Sequence, residues 1–210
     1  KAPAPGRVKT RLSPPFSPEQ AAALYRAFAA DSLAAAEAVP GARAVLAYEP
    51  HEDWPAPSWL RNPPPEWFPQ EGADLGRRLA AATGKAFADG ARRVVVIGTD
   101  SPQLPPARIE EAFARLAAAP LVLGHARDGG YYLVGLREPA PSLFDDIPWS
   151  GPEVLKATLA RAAELRWSAH LLDPLEDVDD AASLARMLLD VKGTALAPRT
   201  QTALAQLSRG

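Results

Sequence analysis

The first eleven residues combine four basic side chains with a glycine, ahead of a predicted helix. A glycine that frees backbone N–H groups, a fixed lysine and a bidentate arginine are the groups that bind a pyrophosphate. The segment lacks the Gly-Lys-Ser/Thr spacing of a Walker loop. Composition alone favours the alternative, a solvated basic segment. The phosphate-binding candidates are Lys1, Gly6, Arg7, Lys9, Thr10 and Arg11.

Asp100 lies in the sequence Gly-Thr-Asp-Ser-Pro, directly after the apolar run Arg93-Val-Val-Val-Ile-Gly98. Open α/β sheets bind ligands at the carboxyl ends of their strands, and a carboxylate there can hold a hard divalent cation. The alternative is that the Asp100 side chain only caps the next turn. The position therefore predicts a metal ligand, with a turn cap as an equal alternative.

A second acidic motif is Asp128-Gly129-Gly130-Tyr131-Tyr132. The two glycines allow a backbone to approach a ligand closely beside a carboxylate. A plain β-hairpin would use Asp-Gly in the same way.

The segment Glu176-Asp177-Val178-Asp179-Asp180 carries four carboxylates in five residues. Like charges at this density repel unless a cation is shared or solvent separates them. If the segment is extended, Asp177 and Asp179 point to one side. The alternative is an acidic N-cap that favours the dipole of the following helix. We expect Asp179, with Asp177 in reserve, to lie near Asp100 and to share one cation with it.

Two other segments hold candidate binding residues. Gln70, Asp74 and Arg78 flank the start of a predicted helix, where an ordinary polar helix face is the alternative. Residues 49–70 hold seven prolines and three tryptophans without periodicity, which predicts a long loop or lid. Its tryptophans could stack on a base or sugar, or pack as anchors on the core.

The elements that position these residues alternate between helix and strand. Helices are predicted from Ser17 to about Val39, from about Gly72 to Asp89 and over 106–118, with strands over 42–48, 93–98 and 121–124. The run 93–98 is the best candidate for a central strand buried on both faces. Ser150-Gly-Pro-Glu153 predicts a capping box for a fourth helix. The pattern indicates one α/β domain over residues 1–210.

The amino-acid composition excludes several classes of functional site and partner. The chain has no cysteine, which excludes disulfides, thiolate catalysis and cysteine-ligated metal sites. A net charge of −2 gives no global attraction for nucleic acid or an anionic membrane, and no apolar run is long enough to span a bilayer. We therefore expect a cytoplasmic protein with no nucleic-acid or membrane partner.

Together these segments resemble the GT-A-like predicted nucleotide-diphospho-sugar transferases, a group that includes arsenosugar-biosynthesis glycosyltransferase-like proteins. The matching stretches are residues 1–12, 70–79, 97–104, 124–136, 144–150 and 177–179. The resemblance implies a three-layer GT-A fold, with a mixed, mainly parallel sheet and helices on both faces. The first strand of that family is absent before Lys1 in this sequence. The resemblance also implies a nucleotide-sugar donor, a small-molecule acceptor and Mg²⁺ or Mn²⁺ on Asp100, and a homodimer is compatible with it.

Two alternatives stay open. Phospholactate guanylyltransferases share the Lys-Thr-Arg-Leu loop and the strand-end aspartate, so nucleotidyl transfer is the second hypothesis. A non-catalytic nucleotide-binding protein is the third. For glycosyl transfer with inversion a general base is needed, and Asp128 and Asp145 are its candidates. The family's Asp-Thr-Pro-Glu-Asp continuation is replaced by Asp179-Asp-Ala-Ala-Ser183, which weakens any role for Asp180 or Ser183.

Overall fold

The chain alternates helices and strands, and the computed structural model describes residues 1–61 and 63–207. None of the helices within those ranges is long and apolar enough to cross a membrane. The helices are α1 (Pro18–Glu37), α2 (Leu75–Ala88), α3 (Pro106–Arg115), α4 (Val154–Glu164), α5 (Ala181–Val191) and α6 (Pro198–Leu207). The strands are β1 (Leu46–Tyr48), β2 (Trp67–Pro69), β3 (Val94–Ile97), β4 (Leu121–Ala126), β5 (Tyr131–Leu136) and β6 (Ala169–Leu175), and short 3-10 helices span Thr10–Leu12, Pro57–Trp59 and Pro141–Phe144.

The chain divides into two compact units, each assembled from separate stretches of sequence. The first unit contains Lys1–Pro69, Thr99–Pro106 and the residues from Glu176 onward. The second contains Gln70–Gly98 and Ala107–Leu175. A single domain over residues 1–210 stays a prediction.

The second unit is built on a four-stranded sheet with the order β3-β5-β4-β6. β5 pairs antiparallel with both β3 and β4, and β4 pairs parallel with β6. Three strands therefore run in one direction and β5 runs in the other, which is the mixed, mainly parallel sheet that we predicted.

Helices cover both faces of this sheet. On one face Leu121 and Leu136 belong to a core cluster that also includes Phe87 of α2 and Leu159 of α4. On the opposite face Gly135 lies against the fully buried Leu116, which follows α3. The α/β layered architecture is confirmed.

The prediction of a central strand over residues 93–98 is wrong. β3 stands at the end of the sheet order, and of its residues only Val94 is buried. The Asp-Gly-Gly turn makes β4 and β5 a hairpin, and β5 inserts between β3 and β4. An apolar run shows that a strand can be buried, but its place in a sheet depends on how distant segments pair.

In the first unit, α1 packs on the carboxyl-terminal helices through an apolar cluster that includes Leu24, Phe28, Leu184 and Met187. The predicted capping box at its start is confirmed, because Ser17 accepts from the Gln20 N–H and the Gln20 side chain accepts from the Ser17 N–H.

The second predicted capping box is wrong. Ser150 has a φ of 71° and lies outside α4, whose N-cap is Glu153 and makes no side-chain cap. A helix was also predicted to begin near Gly72, but α2 begins at Leu75, after the N-cap Asp74.

The proline-rich stretch 49–70 is not wholly loop. It holds a 3-10 helix and β2, which pairs parallel with β1 through Leu46 and Trp67. Trp59 packs on two aromatic rings, with centroids 6.3 Å from Tyr25 and 6.5 Å from Tyr48. This tryptophan is therefore a core anchor. Motion of the stretch as a lid stays a prediction, and Asn62 within it lies outside the described residues.

Candidate functional site

The basic first loop is held in place by its own backbone and by one apolar anchor. Gly6 adopts a φ of 74° in a turn where the Arg7 N–H donates to Ala4 O over 3.0 Å. Lys9 has a φ of 47° and stands immediately before the Thr10–Leu12 3-10 helix. Leu12 is fully buried in the α1 cluster. A left-handed lysine is uncommon and is often found where a site constrains the chain.

The ammonium of Lys9 lies between two carboxylates. Its Nζ is 2.5 Å from Oδ1 of Asp100 and 3.1 Å from Oδ1 of Asp179, and it donates to the Val178 carbonyl over 2.6 Å. Three acceptors therefore use the three protons of the ammonium. The lysine side chain is only 6% exposed.

Arg11 makes the second cationic contact. Its Nη2 lies 2.5 Å from Oδ2 of Asp179, so each oxygen of that carboxylate meets a different cation. Unlike Lys9, the Arg11 side chain is 69% exposed, as are Arg7 and Thr10 in large part. Lys1 also lies at the surface, with its Nζ 3.8 Å from Glu49. The loop therefore presents basic groups to solvent beside the buried lysine.

Backbone and side-chain hydrogen bonds join the segment after β3 to the segment after β6. The Val178 N–H donates to Asp100 O over 2.7 Å. The Ser101 hydroxyl donates to the Asp177 carboxylate, and Gln103 Nε2 donates to Glu176 O over 2.7 Å. Sequence reasoning missed Ser101 and Gln103 as positioning groups. Their signal was a serine and a glutamine following a strand-end aspartate, and both are buried.

The four acids of residues 176–180 have separate roles. Glu176 pairs with Arg186 at 2.5 Å, and Asp180 caps α5 by accepting from the Ser183 N–H at 2.7 Å. That backbone hydrogen bond is the main reason why the pKa of Asp180 lies below its usual value. The helix-cap alternative thus holds for Asp180, whereas Asp179 faces Lys9 and Arg11.

Asp100, Asp177 and Asp179 do not converge into one three-carboxylate site. Among residues 1–61 and 63–207, the only trio of ligating side chains with atoms within 4.8 Å of one another is His51, Glu52 and Asp53, in the stretch after β1. Asp100 and Asp179 come together around Lys9 alone, and Asp177 is bound by Ser101.

Of the two carboxylates around Lys9, Asp100 is the one more open to a cation from solvent. Its side chain is 48% exposed, and Lys9 approaches its Oδ1. A ligand arriving from solvent can therefore reach it, and carboxylate oxygen is the donor that Mg²⁺ and Mn²⁺ prefer. Asp179 is less suited, because both of its oxygens already contact cations.

The phenol of Tyr25 lies beside the first loop. Its hydroxyl donates to Lys1 O over 3.2 Å, and the ring is 6% exposed. Burial raises its pKa to about 12, and the negative charge of Asp100 adds to that rise. Tyr25 therefore stays neutral across the physiological range.

The remaining nucleotide-binding candidates belong to the second unit. Asp74 caps α2 by accepting from the Arg77 N–H over 2.8 Å. Arg78 donates from Nε to Gly72 O over 3.1 Å and lies 3.5 Å from Gln70 Oε1. These contacts form an ordered polar helix start, and a role for the group in nucleotide binding stays a prediction.

The two candidate general bases also belong to the second unit. Asp128 lies in the β4–β5 turn, where its Oδ1 accepts from the Gly130 N–H over 2.9 Å. This hydrogen bond stabilises the turn of the hairpin. The Asp145 carbonyl accepts from Arg161 Nε over 3.1 Å, while the Arg161 guanidinium pairs with Asp146 at 2.6 Å. Both aspartates are exposed. Their catalytic role stays a prediction.

Comparison with known structures identifies two similar folds. A protein from Desulfovibrio desulfuricans G20, named a "putative nucleotide-diphospho-sugar transferase", superposes with a TM-score of 0.87 at 31% identity, over 99% of this chain and 92% of that one. CMP:2-keto-3-deoxy-manno-octonic acid synthetase complexed with CTP superposes with a TM-score of 0.56 at 13% identity, over 79% of this chain and 88% of that one. The second likeness concerns the fold alone. No curated protein matches the sequence.

A family model described as "Uncharacterized protein conserved in bacteria (DUF2064)" matches residues 32–151. This match covers more than half of the chain, and the structural relative at 31% identity extends over nearly all of it. The layered α/β fold agrees with the GT-A-like architecture that the sequence motifs predicted. The chain therefore belongs to the DUF2064 family and has the fold of the nucleotide-diphospho-sugar transferases.

Proposed function

We propose that this protein transfers a sugar from a nucleotide-diphospho-sugar to a small-molecule acceptor, with Mg²⁺ or Mn²⁺ held at Asp100. The observation that carries the proposal is the pairing of a basic loop with a strand-end carboxylate around Lys9. The 31% identical relative, whose name includes the same reaction class, supports it.

The chemistry needs stabilisation of a departing nucleoside diphosphate. Negative charge grows on the diphosphate as the bond to the sugar breaks, and fixed cations at that point lower the barrier. Lys9 and Arg11 are the cations that would stabilise this charge. A bound divalent cation would add Lewis-acid stabilisation of the same oxygens.

Arg11 is the group most able to change partner. Its side chain is 69% exposed and its contact with Asp179 is screened by solvent, so a diphosphate can compete for it. A guanidinium also binds two phosphate oxygens at once. We therefore assign Arg11 to the phosphates of the donor.

An inverting transfer also needs a general base near the acceptor. Asp128 and Asp145 remain the proposed candidates for an inverting reaction. In the strand-end cluster Asp100, Asp177, Asp179 and Asp180 each contact a cation or a hydrogen-bond donor.

That observation favours nucleotidyl transfer as the second candidate. When an acceptor phosphate attacks the α-phosphate of a nucleoside triphosphate, no general base is required. Lys9, Arg11 and Asp100 would serve this reaction with the same charges. A nucleoside triphosphate as the preferred ligand would distinguish it.

The test is a ligand screen by thermal shift in Mg²⁺ and in Mn²⁺. Selective binding to the folded state raises the melting temperature with ligand excess. We expect one class of nucleotide sugar to give the largest shift, and incubation with it to release nucleoside diphosphate. Triphosphates as the strongest ligands would favour nucleotidyl transfer, and no shift with any nucleotide would contradict both.

Matched arginine variants sharpen the screen. Arg11→Gln should weaken nucleotide binding at least about tenfold, since it removes a cation from the phosphate site. Arg115→Gln is the control, because Arg115 makes a comparable exposed ion pair with Glu111 at 3.3 Å in α3. Equal affinities for the two variants would remove Arg11 from the proposed site.

A further inference from the structure

We propose that Lys9 is an internal counter-ion that a divalent cation displaces from Asp100, so that metal binding and release of Lys9 toward the donor phosphates are one event. The proposal deepens the proposed function, and its second half rests on it. It assigns Lys9 two successive partners, the carboxylates first and the phosphates afterwards.

The argument begins with the position of the ammonium. It touches Asp100 Oδ1 at 2.5 Å and Asp179 Oδ1 at 3.1 Å, and so occupies the space between the two carboxylates that a shared cation would use. A divalent ion bound there would stand within a few ångströms of a positive charge and be repelled strongly, because the side chain is 6% exposed and poorly screened. The ion and the ammonium therefore exclude each other.

The second step concerns which atoms must move. Leu12 is fully buried and fixes the loop backbone three residues after Lys9. The lysine is a compact charge on a four-carbon stem, so rotation of the side chain alone can carry the ammonium away. The ammonium is held by polar contacts, and its Nζ lies 5.8 Å from the centroid of the Phe28 ring. A fixed backbone that carries a charge on a rotatable stem is the arrangement that a displaceable counter-ion needs.

The third step is the fate of the displaced charge. An ammonium that leaves three acceptors in a partly buried site needs new acceptors, since an unpaired charge there is costly. Donor phosphates bound by Arg11 would supply them. In the structure Arg11 contacts Asp179, and its exposed guanidinium can turn to the donor phosphates beside Lys9. Metal and donor should consequently bind with positive coupling.

The test measures Mn²⁺ affinity without nucleotide, by electron paramagnetic resonance of the free ion. Lys9→Gln removes the competing charge while its amide can still donate to Val178 O. We expect this variant to bind Mn²⁺ roughly tenfold or more tightly than the wild type, in line with loss of a close like charge. The control is Lys85→Gln, which breaks an exposed ion pair with Asp89 at 3.0 Å and should leave Mn²⁺ affinity unchanged.

A measurement on the wild-type chain covers the case in which Lys9→Gln does not fold. The sequence has five lysines, so the ¹³Cε and ¹⁵Nζ signals of a lysine-labelled sample can be resolved and followed during a Mg²⁺ titration. We expect the Lys9 signal to shift at the same Mg²⁺ concentrations that saturate the site. Mn²⁺ affinity in Lys9→Gln equal to or below that of the wild type, or a Lys9 signal unchanged at Mg²⁺ saturation, would overturn the proposal.

These outcomes are separate from those of the proposed function. Tighter Mn²⁺ binding by Lys9→Gln without nucleotide affinity in the wild type would support the displacement and contradict the sugar-transferase assignment. Nucleotide-sugar binding in the wild type with no gain of Mn²⁺ affinity in Lys9→Gln would support the sugar-transferase assignment and contradict the displacement.

Discussion

The backbone N–H of Val178 donates to the carbonyl oxygen of Asp100 over 2.7 Å. This bond ties the acidic segment after β6 to the segment after β3 through main-chain atoms. The carboxylates of Asp100 and Asp179 are thus placed by backbone, and their side chains can be substituted while that link persists.

The buried hydroxyl of Ser101 stabilises the same link. Ser101→Ala leaves the Asp177 carboxylate without this donor, and we expect unfolding free energy to fall by about 1–3 kcal/mol. Urea denaturation measures the loss. Ser142→Ala, at an exposed serine, is the control, and equal stability of the two variants would show that the Ser101 contact contributes little.

Gly76 allows close packing of α2 in the second unit. A Cβ at this position would lie 2.5 Å from Phe144 O and 2.7 Å from Trp149 Nε1. Gly76→Ala should therefore lower the unfolding free energy by about 1–3 kcal/mol. Gly84→Ala in the same helix meets no atom within 4 Å and should raise it by about 0.5–1 kcal/mol. The same sign for both variants in chemical denaturation would contradict the packing argument.

Asp31 caps α6 from the middle of α1. Its carboxylate, 1% exposed, accepts from the Thr200 N–H at 2.9 Å and hydroxyl at 2.8 Å, and from the Arg199 N–H at 3.1 Å. Asp31→Asn places amide protons against these donors. We expect the free energy of unfolding to fall by roughly 2–3 kcal/mol. Faster proteolysis within α6, compared with Asp190→Asn, reports undocking of the helix. Unchanged proteolysis would remove this role.

Tyr25 should be visible in an alkaline titration. Burial raises its pKa to about 12, so the folded state keeps the proton that the unfolded chain loses near pH 10. Its contribution to stability is present below the unfolded pKa and is lost as pH rises through the folded pKa. Phenolate absorbance of wild type minus Tyr25→Phe should show one phenol titrating near pH 12. A phenol titrating near pH 10 would contradict burial of this ring.

A capping pattern in the sequence predicted a helix start correctly at Ser17 but not at Ser150, where contacts with a distant segment shape the chain. The Ser17 capping box formed because Ser17, Pro18 and Gln20 satisfy one another within a single turn. The same pattern at Ser150 failed, and a turn with Ser150 at a positive φ stands in its place. Close packing there involves Gly129, where a Cβ would lie 2.1 Å from Pro152 O. That contact joins segments distant in sequence.

In the site, too, the sequence predicted some contacts and not others. Asp100 and Asp179 were predicted to share a cation because strand ends collect acidic segments at one edge of a sheet. The contact with Lys9 spans 170 residues, and no pattern in the sequence specifies it. The sequence instead predicts that Lys9 and the other basic residues of the first loop bind phosphate. In the structure the Lys9 ammonium contacts both carboxylates and relieves their mutual repulsion.

Nucleotide binding by Asp100→Asn in Mn²⁺ tests the central claim most directly. The substitution keeps the backbone bond to Val178 and leaves the Lys9 ammonium with Asp179 and the Val178 carbonyl, so the melting temperature should stay close to that of the wild type. Calorimetric titration with the best nucleotide from the screen should then show Mn²⁺-dependent binding in the wild type and in the control Asp190→Asn, but none in Asp100→Asn. Unchanged Mn²⁺-dependent affinity in Asp100→Asn would contradict the assignment of Asp100 as the metal ligand.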